Sequence, residues 1–234
     1  MRRLLSVAAM LALPLASPAL AENTNLSDQL LAAAPDASPA VLKLAASALA
    51  CATANGMAPS SRLAVIDYSR PSSVPRLWVF DTREARLLFR ELVAHGKHTG
   101  DNLARDFSNT EGSLQSSLGL FRTMDTYNGG NGYSMRMDGL EPGFNDQAIK
   151  RSIVMHGAPY VNESTVQKLG RLGRSWGCPA VREGVARQII DTLKGGQFVF
   201  SYYPDKQWLS QSRFLNCTPA VAQTSQRPDS NTMN

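Results

Sequence analysis

The stretch Arg174-Ser175-Trp176-Gly177-Cys178-Pro179 is the most informative part of the chain. Gly177 permits a tight turn and close approach of a second backbone. Pro179 fits the first position of a helix. Behind it Val181, Val185, Ile189 and Leu193 recur every four residues, Arg182, Glu183, Arg187, Asp191 and Lys194 can stay wet, and Gly195-Gly196 is a stop. This reading predicts a helix that starts at Pro179, with Cys178 at its positive end. There a thiol ionises below its ordinary value of about 8.5. Pro179 also lacks a backbone N–H. An oxyanion hole built on the residue after the nucleophile is therefore excluded, and its donors must come from Cys178, Gly177 or Trp176. The competing reading of Cys178 is an inert turn cysteine.

A nucleophilic cysteine needs a base. The chain has three histidines, His95, His98 and His156. Ile149 to Met155 reads as a strand that ends at His156-Gly157, in the same region as Ser175 and Cys178. His156 is therefore the candidate base, against the blander reading of a structural histidine. His95-Gly96-Lys97-His98 places two histidines three apart with no clear third ligand, which is a weak zinc pattern. No metal is predicted, and this segment is read as a strand end or the lining of a groove.

Farther out, Leu63, Val65 and Tyr68 are spaced for an extended segment. Residues 76–94 read as a hairpin around Asp81-Thr82-Arg83-Glu84. The rival is one amphipathic helix over 82–94, where Arg, Glu, Ala and Leu favour helix locally. Residues 96–146 are rich in Gly, Asn, Ser and Asp, with turn signals at Asn128-Gly129-Gly130 and Asn131-Gly132. They read as long polar loops, with a short strand at Leu118 to Phe121. Gln197 to Tyr203 is a final strand. Near the amino end, Asn25 or Ser27 caps a short helix, and Ser38-Pro39 opens a second one that runs to about Ala54.

Arg2-Arg3, the apolar run Leu4 to Leu15 and Ala19-Leu20-Ala21 form a secretory signal pattern. The run is too short to span a membrane comfortably, and no cysteine follows the cut, which argues against a lipid anchor. The expected organisation is a signal peptide over 1–21, a helical segment over 22–57, a catalytic domain over 58–217 and a disordered Pro/Ser/Thr/Gln-rich tail over 218–234. Of 24 basic residues, Arg2 and Arg3 leave with the leader, so 22 bases face 19 acids and the net charge falls from +5 to +3. No dense Lys/Arg run is present, so no nucleic-acid partner is expected. Export also makes three cysteines an odd count. Cys51 and Cys217 can pair in an oxidising compartment and leave Cys178 free. Alternatively, Cys51 is a small buried hydrophobe in an Ala-rich helix.

His156-Gly157 followed by Ser175-x-Gly177-Cys178 resembles the signature of the L,D-transpeptidases of the YkuD type. In that family a histidine and glycine precede a variable loop and then Ser/Thr-His-Gly-Cys. Leu77 to Val93 is similar to its opening hairpin, and Ser116 to Phe121 is weakly similar to its Thr-Pro-x-Gly-x-Phe segment. The likeness covers about residues 62–204 and is greatest to the variant branch of murein L,D-transpeptidase catalytic domains. Two departures stand out. Trp176 occupies the place of the family's histidine before Gly-Cys, and Arg182 lies two positions beyond the family's arginine, about 200° around a helix.

The resemblance implies a mainly β fold. A curved sheet or sandwich carries the cysteine, a short helix follows it, and a helical lead-in precedes it. It also implies the chemistry. The Cys178 thiolate attacks a peptidoglycan stem peptide at the L-centre of its diamino acid, D-Ala leaves, and an amine or water resolves the thioester. His156 moves the proton and is oriented by the backbone carbonyl of Gly157. Ser175 belongs to the catalytic motif, and Tyr133, Arg174 and Arg182 are candidate substrate contacts. No cofactor, membrane span or second protomer is implied, and the place of action is the periplasm or cell envelope. Two other readings use the same residues: a hydrolase of wall peptides (a carboxypeptidase, endopeptidase or amidase), and a non-catalytic wall-binding domain with Trp176 and Tyr133 as surface aromatics.

Overall fold

A computed structural model describes residues 25–217. The expected signal peptide and carboxyl-terminal tail lie outside the described residues. Within them the chain is mainly β. Helices α1 (Leu26–Ala33) and α2 (Pro39–Ala54) come first, followed by strands β1 (Arg62–Asp67), β2 (Leu77–Asp81), β3 (Arg86–Glu91) and β4 (Val93–Ala94). Next are β5 (Gly119–Gly129), β6 (Gly132–Gly139), β7 (Val154–Ala158) and α3 (Glu163–Leu169). The described chain finishes with β8 (Ala180–Arg182), α4 (Glu183–Leu193), β9 (Phe198–Tyr202) and α5 (Lys206–Gln211).

The nine strands form one sheet in the order β3-β2-β1-β9-β5-β6-β7-β8-β4. Its two edge strands, β3 and β4, are separated in the chain by Leu92 alone. The sheet must therefore curl until its edges nearly meet. Across that seam Arg182 of β8 binds Glu91 of β3 with both carboxylate oxygens, at 2.6 and 2.7 Å. Two pairings are parallel, β1 with β9 and β7 with β8, and the second is the one that builds the site.

Local chemistry accounts for most elements. Asn25 caps α1 by accepting from the Ser27 N–H, and Pro39 opens α2. β2, Leu-Trp-Val-Phe-Asp, is buried at every position, which is why it reads as a continuous apolar run. Asp36, between α1 and α2, accepts from the Trp78 indole at 3.2 Å and pairs with Arg90 at 2.7 Å, fastening the helices to the β2–β3 hairpin. Cys51, in the last turn of α2, is joined to Cys217 beyond α5 across a separation of 166 residues. Constraining a loop of that length stabilises the fold by about 5 kcal/mol in the chain-entropy account.

The structure departs from the sequence reading in four places. First, β7 begins at Val154, not Ile149. Residues 145–153 close their hydrogen bonds locally, as in Ala148 N–H to Asn145 C=O and Arg151 N–H to Gln147 C=O, and Ile149 is exposed. Second, the polar stretch 96–146 contains the long strands β5 and β6. Only the first third of β5 is well buried, so its outer half carries no apolar signature. Third, no helix starts at Pro179. Ala180 to Arg182 fill a ladder slot between β7 and β4, with Ala180 opposite both His156 and Ala94, and α4 starts at Glu183. Its inward residues are accordingly Ala186, Ile189, Ile190 and Leu193. Fourth, α3 and α5 went unread, although Asn162 and Asp205 cap them with their side chains.

Candidate active site

The late start of α4 changes the chemistry at Cys178. The thiol lies in a turn between β7 and β8 rather than at a helix end, and it is largely buried. Burial pushes its pKa up. The Val154 N–H, the Arg151 charge and its own N–H oppose that shift. The expected low-pKa thiolate is therefore replaced by a resting thiol. The Sγ–H points to the Ser152 carbonyl at 3.7 Å, and the Val154 N–H lies 3.4 Å from the sulfur. Ser152 adopts the left-handed conformation, φ +54°, which is uncommon for a residue with a side chain.

The turn itself is tightly determined. Gly177 has φ +125°, and a Cβ there would stand 2.8 Å from the Gln115 carbonyl oxygen. The Ser175 hydroxyl donates to the Cys178 carbonyl at 2.6 Å and accepts from the Gly177 N–H at 3.1 Å. Gly177 is thereby withdrawn from the expected oxyanion donors, because its N–H is already bound. Ser116, 1% exposed, braces the turn from behind. Its hydroxyl donates to the Gly177 carbonyl and accepts from the Gly96 N–H, both at 3.0 Å. The Ser175 N–H in turn donates to the His95 carbonyl at 3.0 Å.

His156 sits on β7 opposite Ala180 of β8, one residue beyond Pro179 and two beyond Cys178. Its Nδ1 lies 2.8 Å from the Gly157 carbonyl oxygen. A carbonyl only accepts, so Nδ1 carries the proton and Nε2 keeps the basic lone pair. Burial holds the His156 pKa below the ordinary imidazole value. At neutral pH the site thus contains a neutral imidazole and a neutral thiol. A neutral imidazole with a free lone pair on Nε2 is chemically able to take a proton from a thiol at the same cavity.

Both groups border a cavity of about 340 Å³, lined also by Asn131, Arg151, Ser152, Tyr160, Arg174, Ser175 and Trp176. Trp176 is 77% exposed at its rim. Arg174 reaches the cavity from an ion pair with Asp101 at 2.8 Å. Two expected substrate contacts are elsewhere. Arg182 is engaged by Glu91 across the sheet seam. Tyr133 donates to Asp191 at 2.6 Å and stacks under Arg187, beside a separate cavity of about 230 Å³. Four members of the site were not read from the sequence. Arg151 and Ser152 arrive from the turns before β7, and Ser116 from the segment before β5. Tyr160 follows β7, and burial, aided by the charge of Cys178, pushes its pKa up to about 12. None of the four lies in the local motif. The available signal was the weak likeness of Ser116 to Phe121 to the family's Thr-Pro-x-Gly-x-Phe segment.

His95 and His98 do not converge. The first is buried, while the exposed ring of the second contacts the Ser113 carbonyl. No group of three or more His, Cys, Asp or Glu among the described residues could hold a metal. No helix among them is long and apolar enough to cross a membrane.

A curved, mainly β sheet that brings a buried cysteine and a carbonyl-oriented histidine to one cavity defines the class of site. Residues 33–202 match the YkuD_2 family of L,D-transpeptidase catalytic domains, and the chain belongs to that family. The match takes in α2. Similar solved structures include an L,D-transpeptidase from Mycobacterium smegmatis, 13% identical over 62% of this chain and 60% of that one, with a TM-score of 0.40. L,D-transpeptidase 3 from Mycobacterium tuberculosis is 14% identical over 62% of each chain, with a TM-score of 0.37. An L,D-transpeptidase from Stackebrandtia nassauensis is 12% identical over 78% of this chain and 91% of that one, also at 0.37. The likeness thus spans about three fifths of the mycobacterial chains. No curated protein matches the chain significantly in sequence.

Proposed function

We propose that the protein is a cysteine acyltransferase acting on peptidoglycan stem peptides by L,D-transpeptidation. The observation that carries this reading is the pairing at the cavity: the Cys178 thiol, and His156 held in the Nδ1–H tautomer by the Gly157 carbonyl. His156 Nε2 takes the thiol proton as Sγ attacks the carbonyl at the L-centre of the diamino acid. The N–H groups of Cys178 and Trp176 are the donors assigned to the oxyanion. The C–N bond to D-Ala then breaks, and His156 returns the proton to the leaving amine. An acceptor amine attacks the thioester, gives its proton to His156, and the thiol is restored. Ser175 holds the turn in which this happens, and Arg174, which lines the cavity while paired with the exposed Asp101, would meet a peptide carboxylate by exchanging that partner. No cofactor enters the scheme.

The protein acts outside the cytoplasm, exported by residues 1–21 to the periplasm or cell envelope. The Cys51–Cys217 bridge supports this placement, because such bonds persist in oxidising compartments.

The test is intact mass after incubation with a tetrapeptide muropeptide. Wild type is expected to gain an acyl adduct and release D-Ala, and Cys178→Ala to gain none. An adduct that persists in Cys178→Ala, or no turnover by wild type, overturns the reading. Product masses with and without an acceptor peptide separate cross-linking from hydrolysis.

A further inference from the structure

The Arg151 guanidinium has an unusual set of partners. Nη1 donates to the Ser108 carbonyl, at 2.6 Å, and to the Ser117 hydroxyl. Nη2 donates to the Gln115 carbonyl at 2.6 Å and to the Ser113 hydroxyl at 3.1 Å. All four acceptors are neutral. Among the described residues no carboxylate forms an ion pair with Arg151, although the adjacent Lys150 pairs with Glu111 at 3.2 Å. The guanidinium is half-buried, so its charge is only partly screened by water. It faces the cavity that Cys178 borders, and Nη2 lies 3.5 Å from where a Cβ on Gly177 would be. An arginine that is hydrogen-bonded yet uncompensated keeps its full positive charge for whatever anion forms next to it. The anion that forms there during turnover is the Cys178 sulfur. Arg182, two positions beyond the place of the family's arginine, cannot serve, because Glu91 neutralises it.

We infer that Arg151 is the positioning residue that supplies the counter-charge to the Cys178 thiolate, while its hydrogen bonds to Ser108, Ser113, Gln115 and Ser117 fix the segment that backs the Gly177 turn. The inference rests on the reading of Cys178 as the nucleophile. The four neutral acceptors hold the guanidinium at a set place without cancelling it. The sulfur then has a fixed positive partner in addition to the imidazolium that its own proton creates, and the attraction acts only when the proton has left.

The test is the pH profile of Cys178 alkylation by iodoacetamide, followed by intact mass on the full purified chain. Arg151→Met and Arg151→Gln are expected to move the midpoint of the profile to higher pH. At pH 7.5 they should slow alkylation by roughly 3- to 10-fold, since loss of an adjacent opposite charge disfavours the thiolate. Arg151→Lys should restore most of the difference. The double variant Ser113→Ala/Ser117→Ala removes anchors of the segment but keeps the charge, and should leave the midpoint in place. Arg151→Gln retains hydrogen-bonding capacity, so it serves if Arg151→Met does not fold. An unchanged midpoint in either folded neutral variant, or a midpoint that moves equally in the serine double variant, overturns the inference. A wild type that forms the acyl adduct while the Arg151 profiles stay unmoved defeats this inference alone. A wild type that forms no adduct defeats the proposed function instead.

Discussion

Two buried polar clusters lie back to back in this molecule, and each contains one histidine and one arginine. In the first, His156 and Arg151 flank Cys178 at the open cavity. In the second, His95 and Arg76 are sealed inside. Arg76 is fully buried and donates to the Val93 carbonyl, at 3.0 and 2.9 Å, and to the Arg70 carbonyl at 2.9 Å. The two histidines are opposite tautomers. His95 Nε2 lies 3.2 Å from the Gly100 carbonyl, so that nitrogen carries the proton, and Nδ1 accepts from Arg76 at 2.7 Å. Both of its nitrogens are spent. His156 spends Nδ1 alone and borders the cavity with Nε2 uncommitted. Similar chemistry therefore leaves a sealed histidine in one place and, in the other, a histidine with one ring nitrogen open to a cavity. The difference is which ring nitrogen the backbone claims, and whether a cavity adjoins the ring.

The sharpest way to break this contrast is to replace the two histidines separately. His156→Gln is expected to lower acyl-adduct formation by about 10²–10⁴-fold, the usual contribution of a positioned acid–base group. Its melting midpoint should move by no more than about 4 °C. A variant that keeps wild-type acylation would put the reactive base elsewhere.

The sealed histidine predicts a stability effect with a defined sign. Burial, and then the Arg76 charge, lower the His95 pKa from 6.5 to about 4. In the unfolded chain His95 takes a proton as pH falls through 6.5, and in the folded chain only near pH 4. Between those values the unfolded state binds more protons. The stability from keeping His95 neutral is therefore present above pH 6.5 and is lost as pH falls toward 4. The full loss is about 3 kcal/mol at 1.36 kcal/mol per unit. Denaturant unfolding of wild type and His95→Gln at several pH values measures it. Equal slopes for the two proteins across that window would show that His95 does not titrate as described. The shift at His156 has the same sign, since burial also lowers its pKa, so some slope should survive in the variant.

The legibility of the two clusters differs in the same way. His156 and Cys178 could be read from the chain because each sits in a short local pattern, His-Gly and Ser-x-Gly-Cys, whose residue types limit the chemistry. Strands β2 and β9 could be read because burial makes them almost continuously apolar. What could not be read was set from far away. Ala180 to Arg182 look like the first turn of a helix until β7 and β4 claim them as a strand. That single misreading carried the expected pKa of Cys178 in the wrong direction. Arg151 acts through partners 34 to 43 residues away and Arg76 through partners up to 19 residues away, and no local pattern marks either.

Ser116 joins the two clusters, and replacing it gives the smallest expected effect. Its hydroxyl links the Gly96 N–H, next to His95, to the Gly177 carbonyl, next to Cys178. Ser116→Ala leaves both groups without that partner in a buried setting. The expected loss of stability is about 1–2 kcal/mol. If the turn is held from behind as described, acylation should also fall by roughly tenfold, because small displacements of a nucleophile are costly. Stability by denaturant unfolding and acylation by intact mass should therefore move together. A loss of stability with wild-type acylation would mean that Ser175 alone sets the Cys178 turn. The sealed cluster would then support the fold without supporting the site.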